Sequence, residues 1–231
     1  MSKKTKVTNC VRGVISPLLA NLYLHHAFDT WISKHYASNP FERYADDIIV
    51  HCNSKEEAEQ LLEAIRTRMQ GFELELHPEK TKLVYCKSYN RKEEHEHNSF
   101  TFLSYSFQPR VKANQQFKDR KFMGFDAAIC CRAKAYIKQR IRDVFNPRNT
   151  TVSLEQAAIK LNPKIRGWLN YYCRFNPIIA AKVFVYLNEL IQRWFSEKFR
   201  LRGKMATLEK YKTYVQENRK LFVHWQKGIT Y

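Results

Sequence analysis

The spacing of apolar residues changes period several times along the chain, and each change marks an element. Ser16-Pro17-Leu18-Leu19-Ala20-Asn21-Leu22-Tyr23-Leu24 sets an N-cap serine and a first-position proline ahead of a broad apolar face. This predicts a helix of about five turns between Gly13 and Tyr36. Short apolar runs then flank Ala45-Asp46-Asp47 within Phe41 to Cys52, the pattern of a β-hairpin turning at the carboxylates. Ser54-Lys55-Glu56-Glu57 opens a second helix as a capping box, with Ala58, Leu61, Leu62, Ile65 and Met69 on one face and Gly71 at its end. Phe72 to Leu76 and Lys82 to Cys86 alternate with period two around His77-Pro78-Glu79-Lys80, predicting two more strands. Helix, hairpin, helix and strand pair make most of an antiparallel split-βαβ sheet with helices on one face, short of one strand at its N-terminal end.

Residues 87–99 read as an exposed polar excursion, and Phe100 to Phe107 as one further strand or hairpin arm. Gln108-Pro109-Arg110 closes a first domain, 1–110. A basic connector, 111–124, carries Lys112, Lys118, Arg120 and Lys121. Beyond it the period is helical throughout. Ala133, Ile137, Ile141 and Val144 form one stripe, and Ser153-Leu154-Glu155-Gln156 caps a short helix that should stop at Asn162-Pro163. Pro163 begins the next helix, Asn176-Pro177 another toward Trp194 and Phe199, and a last segment covers Leu208 to Trp225. The expected fold class is therefore α+β: a sheet domain followed by an all-α bundle, 125–231.

Charge sharpens this division. Residues 1–110 hold 15 Lys and Arg against 14 Asp and Glu, whereas 111–231 hold 25 against 8. Nearly the whole net charge of +18 thus lies in the second half, interleaved with Tyr, Trp and Phe, which favours a nucleic-acid partner over a merely solvated surface. No apolar run approaches the roughly 18 residues of a membrane span, and the first residues lack a signal-peptide core. Six cysteines without a Cys-x-x-Cys pair offer neither a disulfide framework nor a zinc site. These features together predict a soluble cytoplasmic protein with reduced thiols. His25 and His26 point about 100° apart on their helix and are read as lacking an i+4 partner, and His95 and His97 flank Glu96 on a loop, so neither pair is expected to bind metal.

An adjacent Asp46-Asp47 pair is by itself most often a solvated turn, but its Tyr44-Ala45-Asp46-Asp47 context resembles the catalytic hairpin of reverse transcriptases. Further blocks follow in order. Gly13-Val14-Ile15-Ser16-Pro17, Leu76-His77-Pro78-Glu79-Lys80, Phe102-Leu103-Ser104-Tyr105-Ser106-Phe107 and Ile165-Arg166-Gly167-Trp168-Leu169-Asn170-Tyr171-Tyr172 are similar to the palm and thumb motifs of the reverse transcriptases, or maturases, encoded by group II introns. The resemblance implies a partial palm followed by a helical thumb, the maturase (X) domain. It implies an RNA-directed DNA polymerase using two Mg2+ ions, with Asp46 as principal ligand and Asp47 assisting. Tyr44 and Ala45 would place the primer terminus, or serve only strand packing. Lys80 and Lys82 would meet the triphosphate and leaving pyrophosphate, or be solvated turn lysines. Lys134, Lys138, Arg142, Lys164, Arg166 and Arg174 would contact RNA, while Trp168 and Tyr172 read better as bundle core.

The implied partners are intron or template RNA, primer DNA, dNTPs and a separate N-terminal reverse-transcriptase fragment, with no membrane. Two departures stand out: Cys10-Val11-Arg12 where the family usually has Pro-Gln-Gly, and Ser104 where it usually has glycine. The fingers and the strand bearing the family's first catalytic aspartate are also missing from 1–231, where Asp29 and Glu42 are the only acids ahead of Tyr44. The chain alone is therefore expected to be inactive, with an RNA-binding splicing factor that makes no DNA as the alternative.

Overall fold

The computed structural model describes residues 14–88, 90, 93–113 and 121–230; the motif residues Cys10 to Gly13 and the basic residues Lys118 and Arg120 lie outside them. The chain mixes helices with small antiparallel sheets and divides into two compact units, Met1–Leu83 and Val84–Tyr231. That division falls ahead of the boundary expected at residue 110.

In the first unit, α1 (Ser16–Leu24) starts one residue ahead of the expected Pro17: Ile15 stands at the cap position in place of Ser16, and no side chain caps it. A π-helical turn, His25–Asp29, joins it to α2 (Thr30–His35). The wider turn shifts which residues face inward. Ile15, Leu18, Leu19 and Leu22 are exposed, while Ala27, Phe28 and Ile32 are fully buried. β1 (Phe41–Tyr44) and β2 (Asp47–Val50) pair as a hairpin in register Tyr44↔Asp47. α3 (Lys55–Gln70) begins where the Ser54 hydroxyl accepts the Glu57 N–H at 3.1 Å. Its Leu61, Ile65 and Met69 close a core with Phe28 and Ile32, bordered by Phe41, Ile48, Val50, Leu74 and Leu76.

The strands expected at Phe72 to Leu76 and Lys82 to Cys86 do not form. Leu74 and Leu76 gain their burial by packing beside α3, and the backbone turns back on the helix instead, with the Phe72 and Leu74 N–H groups both donating to the Met69 carbonyl at 2.9 Å. Period-two alternation met a packing surface and no pairing strand. The expected single split-βαβ sheet is accordingly replaced by a two-stranded and a three-stranded sheet.

In the second unit, β3 (Phe100–Phe102) and β4 (Tyr105–Ala113) form a hairpin across Leu103-Ser104. Both turn residues have left-handed φ, +48° and +65°, as a two-residue type I′ turn requires. Position 104 is therefore one that glycine suits, which explains the usual family residue in physical terms. β5 (Lys121–Ile129) pairs with β4 from Tyr105↔Ile129 to Ala113↔Lys121. Residues 111–113 and 121–124, expected as connector, are thus strand, and so are 125–129, expected as the start of the bundle. The helices begin at α4 (Cys131–Val144), where the Cys130 sulfur accepts the Ala133 N–H.

A further correction concerns α5 (Leu154–Tyr172), which runs unbroken through Pro163. Proline removes the bond to the Ile159 carbonyl, but Ile159 is exposed, so water can take that acceptor. The completed Ser153–Gln156 capping box and the full burial of Leu161 and Ile165 on either side outweigh the break. α6 (Pro177–Phe199) starts under an Asn176 cap, as expected. α7 (Lys204–Glu217) and α8 (Val223–Gln226) replace the single last segment. Asn188 of α6, fully buried, accepts from the Trp225 indole at 2.9 Å, meets His224 Nε2 at 2.8 Å and donates to the Ile229 carbonyl at 3.2 Å.

α6 ends on Arg200 in the left-handed region, φ +50°, the C-terminal position that favours glycine. Arg200→Gly is expected to stabilise the chain by about 1 kcal/mol, read as a melting midpoint about 2–4 °C higher.

Candidate active site and nucleic-acid interface

The two-residue turn of the β1–β2 hairpin consists of Ala45 and Asp46, with Asp47 opening β2. Ala45 has φ +54°, a conformation that costs a non-glycine residue about 1–2 kcal/mol. Arg43 holds it there. Its guanidinium donates to the Ala45 carbonyl at 3.0 Å and to Asn21 Oδ1 at 2.9 Å, and makes a two-pronged pair with Asp29 at 2.6 Å on each arm. Their side chains are only 11% and 18% exposed. Arg43 holds the Asp29 carboxyl below the usual carboxylate range, chiefly through its hydrogen bond.

Asp29 is therefore a structural carboxylate that ties the first helical segment to the hairpin. In the sequence Asp29 stands out only as one of two acids ahead of Tyr44, and nothing local announces its Arg43 partner. Against the expectation that His25 lacks an i+4 partner, Asp29 is that neighbour, with His25 Nδ1 3.3 Å from its Oδ2. Asp46 and Asp47 are exposed, and among the described residues neither makes a side-chain hydrogen bond or ion pair. Tyr44, 64% exposed, stands beside them and is not strand packing. Glu42 is engaged by His51 at 2.8 Å.

Asp46 and Asp47 offer exposed oxygen donors of the kind magnesium uses, an ion that takes one or two protein carboxylates and completes its shell with phosphate and water oxygens. Among the described residues, no group of three metal-ligating side chains converges. Lys80 lies on a turn closed by the His77 carbonyl and Lys82 follows it, both exposed. No hydrogen bond or ion pair joins either lysine to Asp46 or Asp47 among the described residues.

The basic residues of the second unit divide by environment. Lys138 and Arg142 of α4 converge on Tyr186 of α6: the ammonium is 4.9 Å above the ring, and Arg142 reaches the hydroxyl at 3.2 Å and Gln139 at 2.6 Å. Part of their capacity is spent on contacts along the bundle's own surface. Lys134 is half-buried, whereas Lys164, Arg166 and Arg174 are exposed. Trp168 and Tyr172 pack against the bundle core, as expected.

Tyr171 and Tyr172 also have a role that composition concealed. The Tyr171 hydroxyl donates to the Leu103 carbonyl at 2.9 Å, the Tyr105 hydroxyl donates to the Tyr171 carbonyl, and the Tyr172 ring lies 5.7 Å from that of Tyr105. The left-handed β3–β4 turn is thereby fastened to the end of α5, and burial pushes the Tyr105 phenol up to about 12.

Comparison with known proteins agrees with this arrangement. Residues 8–125, just over half of the chain, match the family model for reverse transcriptase (RNA-dependent DNA polymerase). Residues 134–212 match the group II intron, maturase-specific domain. No curated protein matched the chain. No helix among the described residues is long and apolar enough to cross a membrane. With a reverse-transcriptase segment around an Asp-Asp hairpin and a maturase segment over the basic helices, the chain belongs to the group II intron-encoded reverse transcriptases and maturases.

Proposed function

We propose that the chain is the palm and thumb portion of an RNA-directed DNA polymerase, with 1–110 as the palm part and 125–231 as the thumb, and that Asp46 and Asp47 hold Mg2+ for nucleotidyl transfer. The observation that carries this reading is a pair of exposed, uncommitted carboxylates on a strained turn that Arg43 braces. When bound, the ions would stabilise charge on the attacking 3′-hydroxyl and the transferring phosphate. Tyr44 and Ala45 position the primer terminus, and Lys80 and Lys82 neutralise the leaving pyrophosphate. Lys134, Lys138, Arg142, Lys164, Arg166 and Arg174 hold template or intron RNA. Asp29 and Glu42 are engaged by Arg43 and His51, so the remaining carboxylate is assigned to neither of them.

A second reading, an RNA-binding splicing factor without polymerase activity, draws on the 25 Lys and Arg against 8 Asp and Glu beyond residue 110. One experiment separates the two. Residues 1–231 alone should not extend an RNA-templated primer with Mg2+. A polypeptide supplying the fingers and first palm strand should restore extension, and Asp46→Ala should remove it again. Extension by the complemented Asp46→Ala chain would overturn the role of that carboxylate. Extension by 1–231 alone, abolished by Asp46→Ala, would show that another acid completes the site. Salt-sensitive RNA binding without extension in the complemented mixture would establish the second reading.

A further inference from the structure

Gly167 lies in the middle of α5 and faces solvent. Glycine is among the least favourable residues in a helix interior, so a packing reason for it would normally be visible. Among the described residues there is none: beyond its own helix backbone, a Cβ built at Gly167 meets no atom within 4 Å. What glycine does provide there is a bare stretch of helix backbone that another molecule can approach closely.

The surroundings indicate the kind of molecule. Gly167 forms part of a groove of about 460 Å³ between α4 and α5, lined also by Tyr136, Arg140, Lys164 and Trp168. Among the described residues the lining carries two cations and no carboxylate. Tyr136 is 54% exposed, and Arg140 is oriented along it, its Nε donating to the Tyr136 hydroxyl at 3.1 Å with the guanidinium 5.2 Å from the ring centre. Asp143, at 3.8 Å from Arg140, leaves most of the guanidinium's donors open. A phosphate-seeking pair beside an open ring and a bare backbone is the chemistry of a nucleotide with its base unstacked. The volume lies within the range of small-ligand sites, roughly 300–1,000 Å³, whereas the bases of a duplex are stacked away from such a groove.

We propose that the α4–α5 groove seats one unpaired RNA nucleotide, its phosphate over Gly167 between Arg140 and Lys164 and its base against Tyr136. This rests on the RNA-binding part of the proposed function and assigns that binding a specific place. The test uses the full chain, a single-stranded RNA oligonucleotide and an RNA duplex of equal length, with affinity followed by fluorescence anisotropy across a salt series. Gly167→Ala should raise the melting midpoint by about 2–4 °C, because alanine is the better helix former, and yet weaken single-strand binding about tenfold. Tyr136→Ala should weaken single-strand binding and leave the salt slope unchanged. Lys164→Ala should weaken binding and reduce the salt slope by about one.

A more stable Gly167→Ala chain that binds single strands like the wild type would overturn the groove while leaving general RNA binding intact. A Gly167→Ala chain that is less stable would assign the glycine to internal packing and overturn the proposal. Equal wild-type affinity for duplex and single strand would overturn the unpaired nucleotide. Failure of the wild-type chain to bind RNA at all would overturn both the groove and the reading on which it rests.

Discussion

Between about pH 5.5 and pH 4 the unit containing residues 84–231 is expected to lose stability at close to 1.36 kcal/mol per pH unit, the slope set by one extra proton in the unfolded chain. The proton belongs to His224, which is fully buried and stacked on Phe184. Its Nε2 faces Asn188 Oδ1, which already accepts from Trp225, so Nε2 carries the hydrogen. Nδ1 is buried with no hydrogen-bond partner among the described residues. Protonation would place a charge and a new N–H where nothing accepts it, and burial lowers the pKa to about 3. The folded value lies below the unfolded one, so the contribution is complete above about pH 6.5 and is lost progressively as pH falls toward 3. The full loss is on the order of 4 kcal/mol. Denaturant midpoints measured at several pH values should show this slope for the wild type and a much flatter one for His224→Leu. An unchanged slope in the variant would remove His224 from the account.

Asp29→Ala is expected to destabilise the unit containing residues 1–83 by about 3 kcal/mol, because it strands a guanidinium that is almost fully buried. Replacing both partners, as in Asp29→Leu with Arg43→Met, should cost less than Asp29→Ala alone, since the uncompensated charge disappears with its counter-ion. A double-mutant cycle on denaturation midpoints measures the coupling, and additive costs would show that the pair is not the brace described here. The single variant also leaves Arg43 free to drift from the Ala45 carbonyl. Any activity that depends on Asp46 should then fall together with stability.

What could be read from the chain alone follows from the range over which each interaction acts. The Asp46-Asp47 hairpin, the Ser54 and Ser153 caps and the Asn176-Pro177 start were legible because each is decided within a few residues. The Asp29–Arg43 pair spans 14 residues and the Asn188–His224 contact 36, and no local pattern announces either. Pro163 misled because its local cost is real but smaller than the burial on both sides of it. Phe72 to Leu76 misled for the opposite reason: alternating apolar residues need a buried side, and a helix surface supplies one as well as a sheet does. β5 went unseen because its last three residues are all buried, which erases alternation. At the site, residue identities were visible in the sequence, but the division of Lys138 and Arg142 from Lys164 and Arg166 was not, since it depends on where Tyr186 comes to lie.

The way the last residues are tied down has a consequence for the order of synthesis. Leu221 and Val223 are held by Asn162, Ile229 by Asn188 and Thr230 by Tyr211, while Phe222, His224 and Trp225 fill the bundle core. A ribosome releases these residues long after α5 and α6. Until they arrive, the part of the core that Phe222, His224 and Trp225 fill stays open even with α4 and α7 in place, so this part of the chain completes its core only after translation of residues 221–230. During that interval the nascent chain is a substrate for chaperones and proteases.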